Sequence, residues 1–195
     1  MQPLLTGAAA PKVERGRVHE FCGMARHTLA ALLMQADTAP TTPVIWIAPS
    51  WQQDRFCPDG LTEYTDPGRL ILVAARREVD LLWTMEEALR AGVVGMIFAE
   101  LTAPPGLTPI RRLQLAAEAG RAQQAGPPPL GVILTPGAGG AAGVESRWQL
   151  APRPDGWHLD RLRARMAPPK AWQIMRQGQK VVICPCHTDP QPAPV

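Results

Sequence analysis

Apolar residues follow two alternating arrangements up to about residue 135. Near-continuous apolar runs lie at 43–48 (PVIWIA), 69–74 (RLILVA), 93–99 (VVGMIFA) and 130–135 (LGVILT). Such runs predict strands buried on both faces, because a parallel sheet covered by helices has no polar side. A shorter strand is expected at 17–21. Between the strands, apolar residues recur at helical spacing. Leu29, Leu32 and Leu33 predict a helix over 27–36. Val79, Leu82, Trp83, Glu86 and Leu89 predict one over 77–91, closed by Gly92. Ile110, Leu113 and Ala117 mark the apolar face of a third helix over 109–121, with Thr108 as N-cap and Pro109 in first position. Its other face carries Arg111, Gln114, Glu118 and Arg121, and Arg111 and Arg112 read as solvated helix surface. This alternation predicts an α/β domain: a parallel sheet with helices on both faces.

The pattern then changes. A glycine-rich stretch over 136–143 precedes shorter alternating segments at 146–151, 157–166 and 171–175, with one more at 180–183. These are expected to add antiparallel strands to one sheet edge. The expected organisation is a flexible leader over 1–16, one domain over 17–183 and a disordered, proline-rich tail over 184–195. Within the domain, 17–135 forms the α/β core and 136–183 a basic antiparallel extension. Trp46, Trp83, Trp148 and Trp157 lie in apolar patterns and are expected in the core, whereas Trp51 and Trp172 are candidate partner contacts.

Composition narrows the class. The 22 prolines and 17 glycines cluster between periodic segments and mark loops. No apolar run approaches the roughly 20 residues needed to span a bilayer, and the first residues lack a secretory pattern, so a cytoplasmic chain is expected. The cysteines at 22, 57, 184 and 186 form no disulfide framework and are expected as thiols. Cys184-Pro185-Cys186-His187 lacks the second ligand pair that zinc requires, so no metal site is expected. The net charge of +3 is modest. It is unevenly placed: residues 147–180 hold eight basic and two acidic side chains. Arg161, Arg163 and Arg165 alternate with apolar residues, and on a strand this places three guanidinium groups on one face. With Arg147 and Trp172 they form a candidate surface for DNA or an acidic partner.

The candidate chemistry lies at 18–33 (VHEFCGMARHTLAALL), a strand, a tight loop at Gly23 and a helix. That is the layout of a phosphate-binding loop, in which backbone N–H groups, a Lys and a Ser/Thr hold a nucleotide and Mg²⁺. Here Gly23 alone remains of the glycines, Arg26 and His27 occupy the Lys-Thr place, and Thr28 follows. Gly23, Arg26, His27 and Thr28, with Glu100 at the end of a hydrophobic strand, make a degenerate nucleotide or anion site. No cofactor is expected, neither ATP nor Mg²⁺.

The blocks VHEFCG…RHTLAALL, PVIWIAPSW, DPGRLILVAARREVDLLWTMEEAL, LTPIRRLQLAAEAG, GVILTPG and ESRWQLAP, in that order across about residues 17–175, resemble the ImuA family in its short alphaproteobacterial branch. The resemblance implies a RecA-like core and a role in damage-induced mutagenesis. Its implied partners are ImuB, a catalytically dead relative of Y-family polymerases, and through it an error-prone DnaE-type polymerase, with DNA or RecA as further partners. On RecA-like motifs the P-loop Lys falls on or near Arg26. The water-activating Glu falls at Ala48-Pro49-Ser50, where no carboxylate stands, and the Walker B carboxylate falls on Glu100. ATP hydrolysis would then lack both phosphate clamp and base. The RecA loops that hold DNA correspond to 101–108 and 136–143, and neither contains Lys or Arg. The resemblance thus implies a non-enzymatic accessory protein. Two alternatives stay open: a SulA-type cell-division inhibitor acting on FtsZ, and a nucleotide-dependent enzyme with an atypical P-loop.

Overall fold

The computed structural model describes residues 1–6, 10–52, 57–123, 126–177 and 180–185. The apolar runs form the strands β3 (Val18–Cys22), β4 (Val44–Pro49), β5 (Leu70–Ala75), β6 (Met96–Glu100) and β7 (Leu130–Leu134). Two two-residue strands, β1 (Gln2–Pro3) and β2 (Lys12–Val13), precede them. Four strands follow: β8 (Ser146–Arg153), β9 (Gly156–Ala164), β10 (Lys170–Gln177) and β11 (Lys180–Pro185). Among the described residues the main sheet runs β11-β10-β9-β8-β3-β7-β6-β4-β5. Pairing is parallel from β5 through β8 and antiparallel from β8 through β11.

Helix α1 (Arg26–Gln35) covers one face of the sheet, while α2 (Glu78–Ala91) and α3 (Leu107–Ala122) cover the other. The α1 side buries Phe21, Trp46, Phe98 and Trp148, and Trp46 stacks on Phe98 at 5.1 Å between ring centroids. The α2–α3 side buries Ile47, Met85, Ile97, Leu113 and Ile133. Gly92 ends α2 in the left-handed region at φ +67, and a Cβ there would collide with the Gly120 carbonyl on α3. Gly120 meets the Leu89 carbonyl in the same way, so the two helices touch backbone to backbone.

Several sequence expectations change. The leader is ordered where it is described: Leu4 and Leu5 are fully buried, and the Gln2 side chain donates to the Ala36 carbonyl at 2.7 Å. Arg15 reaches Asp37 at 2.8 Å, and Asp37 also holds Arg69 at 2.6 Å, so the N-terminal segment is tied into the domain by a buried charge cluster. Strand β8 is parallel to its neighbour β3, so the antiparallel extension begins one strand later than its composition suggested. Helix α3 starts at Leu107 with Gly106 as N-cap, and no side chain caps it. On α2 the buried stripe is Leu81, Met85 and Leu89, which leaves Val79 63% and Trp83 59% exposed. Trp172 is only 5% exposed, because β10 points it into the α1-side core against Trp148 at 5.7 Å. Of the expected tail, Cys184 and Pro185 belong to β11, while Cys186 and His187 lie outside the described residues. Among the described residues no helix is long and apolar enough to cross a membrane.

Candidate functional site

The Gly23 loop sits at the carboxyl end of β3, where ligands bind in parallel sheets. Gly23 turns the chain at φ +89, a conformation that disfavours any Cβ, and a Cβ would also lie 2.9 Å from the Leu150 carbonyl oxygen. In a phosphate cradle the loop amides point at the ligand. Here the Gly23 N–H donates to the Gly137 carbonyl at 2.8 Å, and the Ala25 N–H donates to the Leu150 carbonyl at 3.2 Å. Arg26 curls back to donate to the Gly23 carbonyl at 3.3 Å. Both amides and the cation at the Lys position are thus bonded within the protein.

Glu100 ends β6 and faces the start of α1. Its Oε1 accepts from Trp46 Nε1 at 2.6 Å, and its Oε2 accepts from Gln52 Nε2 at 3.2 Å. His27 Nε2 lies 3.2 Å from the same Oε2. Burial raises the carboxyl pKa, but the bonds from His27, Trp46 and Gln52 outweigh it and hold Glu100 below its ordinary value. Glu100 is thus held by three donors, and Arg26, its neighbour in the cleft, turns instead to the Gly23 carbonyl. Arg26, His27, Thr28, Gln52, Tyr64 and Glu100 line a cleft of about 500 Å³. Among the described residues no group of three His, Cys, Asp or Glu comes together to hold a metal.

The basic residues separate. Arg147 turns inward to Glu20, Nε to Oε2 at 2.5 Å, and donates to the Ala141 carbonyl at 2.9 Å. Glu20 is fully buried, and its Oε1 also accepts from Thr135 Oγ1 at 2.7 Å and the Gly140 N–H at 2.9 Å. Arg147 therefore fastens the glycine-rich stretch to β3. Opposite it a β-bulge interrupts the register: Trp148 pairs with Arg161 and Arg147 with Arg163, leaving Leu162 extra on β9. The bulge breaks the expected stripe. Arg161 lies over the rings of Trp148 and Trp172 at 5.7 and 5.5 Å, on the α1 side. Arg163 and Arg165 lie on the α3 side with Arg17 and Arg111. Sequence reasoning missed these last two, since Arg111 sits 52 positions from Arg163 and only the packing of α3 beside β3 brings them together.

No family model matches the chain. It is 34% identical over 157 residues to Protein ImuA of Caulobacter vibrioides, in strains NA1000 / CB15N and ATCC 19089 / CIP 103742 / CB 15 alike. The chain is a relative of ImuA. The match covers 69% of this chain, and the chain spans 60% of the length of those relatives. The RadB recombinase superimposes with a TM-score of 0.57 at 14% identity, over 83% of this chain and 88% of RadB. Its likeness concerns the fold, which is RecA-like. SulA from Pseudomonas aeruginosa matches at a TM-score of 0.46 and 20% identity, over 62% of this chain and 98% of SulA.

Proposed function

We propose that the chain is a non-catalytic, cytoplasmic RecA-like accessory protein of damage-induced translesion DNA synthesis. It binds an ImuB-type polymerase homologue and, through it, serves an error-prone DnaE-type polymerase. Relationship to ImuA supports the pathway. The observation that carries the non-catalytic part is the loop at Gly23: its amides donate to Gly137 and Leu150 carbonyls, so a phosphate would have to displace protein bonds to enter. Arg26 in the Lys place adds to this, because a planar guanidinium does not substitute for a compact ammonium between phosphates.

The test is co-elution of the full chain with the ImuB of the same genome on size exclusion, with and without ATP. Co-elution independent of ATP is expected. Co-elution that requires ATP would restore a nucleotide-dependent mechanism, and failure to co-elute in either condition would remove the partner.

A further inference from the structure

A second cleft, of about 380 Å³, opens on the sheet face that carries α3. It goes beyond the partner role just described. Its walls carry Arg17, Arg111, Arg163 and Arg165 against two carboxylates, Glu118 and Glu145. Arg17 pairs with both carboxylates, closely with Glu118 and at 3.8 Å with Glu145. Arg111, Arg163 and Arg165 are exposed, and among the described residues none of the three pairs with a carboxylate. Four cations therefore face two carboxylates in one cleft, which keeps a net positive charge, and three of the four cations have no carboxylate partner among the described residues.

The walls are fixed. The Gln114 side chain accepts from the Val18 N–H at 3.1 Å and donates to the carbonyls of Val18 at 3.1 Å and Gly143 at 3.3 Å. The Arg165 N–H donates to the Glu145 carbonyl at 3.0 Å, and the Glu145 N–H to the Val18 carbonyl at 2.9 Å. The start of α3 lies at the same cleft through Leu107, with no capping side chain and no acid in its first turn, so the positive end of the helix dipole adds to the arginines.

We propose that this cleft holds the phosphodiester backbone of a nucleic acid strand, with Arg111, Arg163 and Arg165 each contacting a phosphate. Arg163 lies on β9 and Arg165 just past its end, two positions on, a separation of roughly 6–7 Å for extended chain. That repeat suits a polymer with one anion per unit better than the irregular acids of a folded protein. None of the described lining residues is aromatic, so bases are not stacked and binding is independent of sequence. The cleft touches the ends of the stretches 101–108 and 136–143 through Leu107 and Gly143, but its cations come from outside them, since neither stretch carries Lys or Arg.

The test measures anisotropy of a short labelled oligonucleotide, single-stranded or duplex, against the full chain without nucleoside triphosphate over a salt series. Three phosphate contacts predict a log–log salt slope of about −2 for a single strand and about −2.7 for a duplex, and the form bound more tightly at equal salt is the one held. Arg111→Gln, Arg163→Gln and Arg165→Gln should each flatten the slope by about 0.7 to 0.9. The triple variant should lose binding at least tenfold, while Arg153→Gln, outside the cleft, should leave the slope unchanged. The urea midpoint should also stay unchanged, since these side chains give up no ion pair. The proposal is overturned by absence of binding by the unaltered chain at about 50 mM salt. A slope that survives the triple variant, or poly-glutamate of equal charge displacing the oligonucleotide as well as unlabelled oligonucleotide does, would overturn it too.

Discussion

Replacing Glu20 with Gln removes one charge from a fully buried position and should loosen the glycine-rich stretch. The carboxylate accepts from Thr135 Oγ1, the N–H groups of Gly140 and Ala141, and Arg147 Nε. Removing one partner of a buried ion pair costs about 3–5 kcal/mol. Gln retains part of the set, because its carbonyl oxygen still accepts from Thr135 and Gly140, each bond contributing about 1 kcal/mol. Its amide nitrogen, however, points a donor at Arg147 and the Ala141 N–H. The balance is a loss of about 1–3 kcal/mol, which at a urea slope of roughly 2 kcal/mol/M lowers the unfolding midpoint by about 0.5–1.5 M. Amide exchange resolved by residue should accelerate beyond the global loss at Ala141, whose nearer acceptor becomes a donor, and less at Gly140, which keeps the Gln carbonyl oxygen. A midpoint shift under about 0.25 M, the size of an ordinary surface substitution, or unchanged exchange at both amides would refute the assignment of the carboxylate as the fastening group.

Three further outcomes follow from the same geometry. Restoring nucleotide-loop residues with Arg26→Lys and His27→Thr should not produce binding to MgATP, because the Gly23 and Ala25 amides stay bonded to carbonyls; a rise in Tm of more than about 5 °C with MgATP would contradict this. His19 bonds Ser146 Oγ and the Glu14 carbonyl, and burial, with the Arg17 charge adding to it, lowers its pKa to about 4. Its neutral form is the folded one, so below about pH 6.5 the unfolded chain takes up a proton that the folded chain does not, and stability falls by about 3 kcal/mol down to about pH 4, then levels. The stability gap between the unaltered chain and His19→Gln should narrow across that window by urea denaturation, and a constant gap would count against it. Burial, then the charge of Glu20, pushes the Cys22 thiol up to about 12, whereas Cys57 and Cys184 are exposed. Iodoacetamide should therefore label Cys57 and Cys184 in the native protein and Cys22 only after unfolding, as read by peptide mass mapping.

The parallel strands were legible because burial on both faces leaves long apolar runs; the expectation fails for β5, which among the described residues pairs with β4 alone at the sheet edge and leaves Ile71 and Leu72 48% and 54% exposed. The N-terminal hairpin was not, since two-residue strands have no periodicity and Leu4 and Leu5 resemble loop apolars until β1 and β2 pair. On α2, Val79–Trp83 and Leu81–Met85–Leu89 are both apolar at helical spacing, and only the sheet decides which stripe is buried. Within the site, Gly23, Arg26 and His27 are neighbours in the chain and their clustering was readable. The bond between His27 and Glu100 joins residues 73 positions apart and depends on strand order. The arginine stripe failed for a local reason: one bulge at Arg147/Trp148 shifts the side-chain alternation and divides Arg161 from Arg163.

In a nucleotide-driven RecA-like protein, the loop amides, the strand-end carboxylate and the neighbouring loops lack protein partners until the ligand arrives, and that difference is what lets a ligand move the structure. In this chain several of those groups already have one. The amides of Gly23 and Ala25 meet carbonyls of the glycine-rich stretch and β8, Glu100 has three donors, and the glycine-rich stretch is fastened by Glu20 and Arg147. A ligand shifts an equilibrium only by the difference in its affinity for two states, and a site whose amides at Gly23 and Ala25 and whose carboxylate are bonded within the protein presents less of one. On the proposed function this makes the surface around the sheet a constant one, with partner affinity set by that surface alone. A partner affinity that rises with ATP would require one of these internal bonds to open first, and Glu20→Gln, which weakens the fastening, is the variant in which such a dependence would become largest.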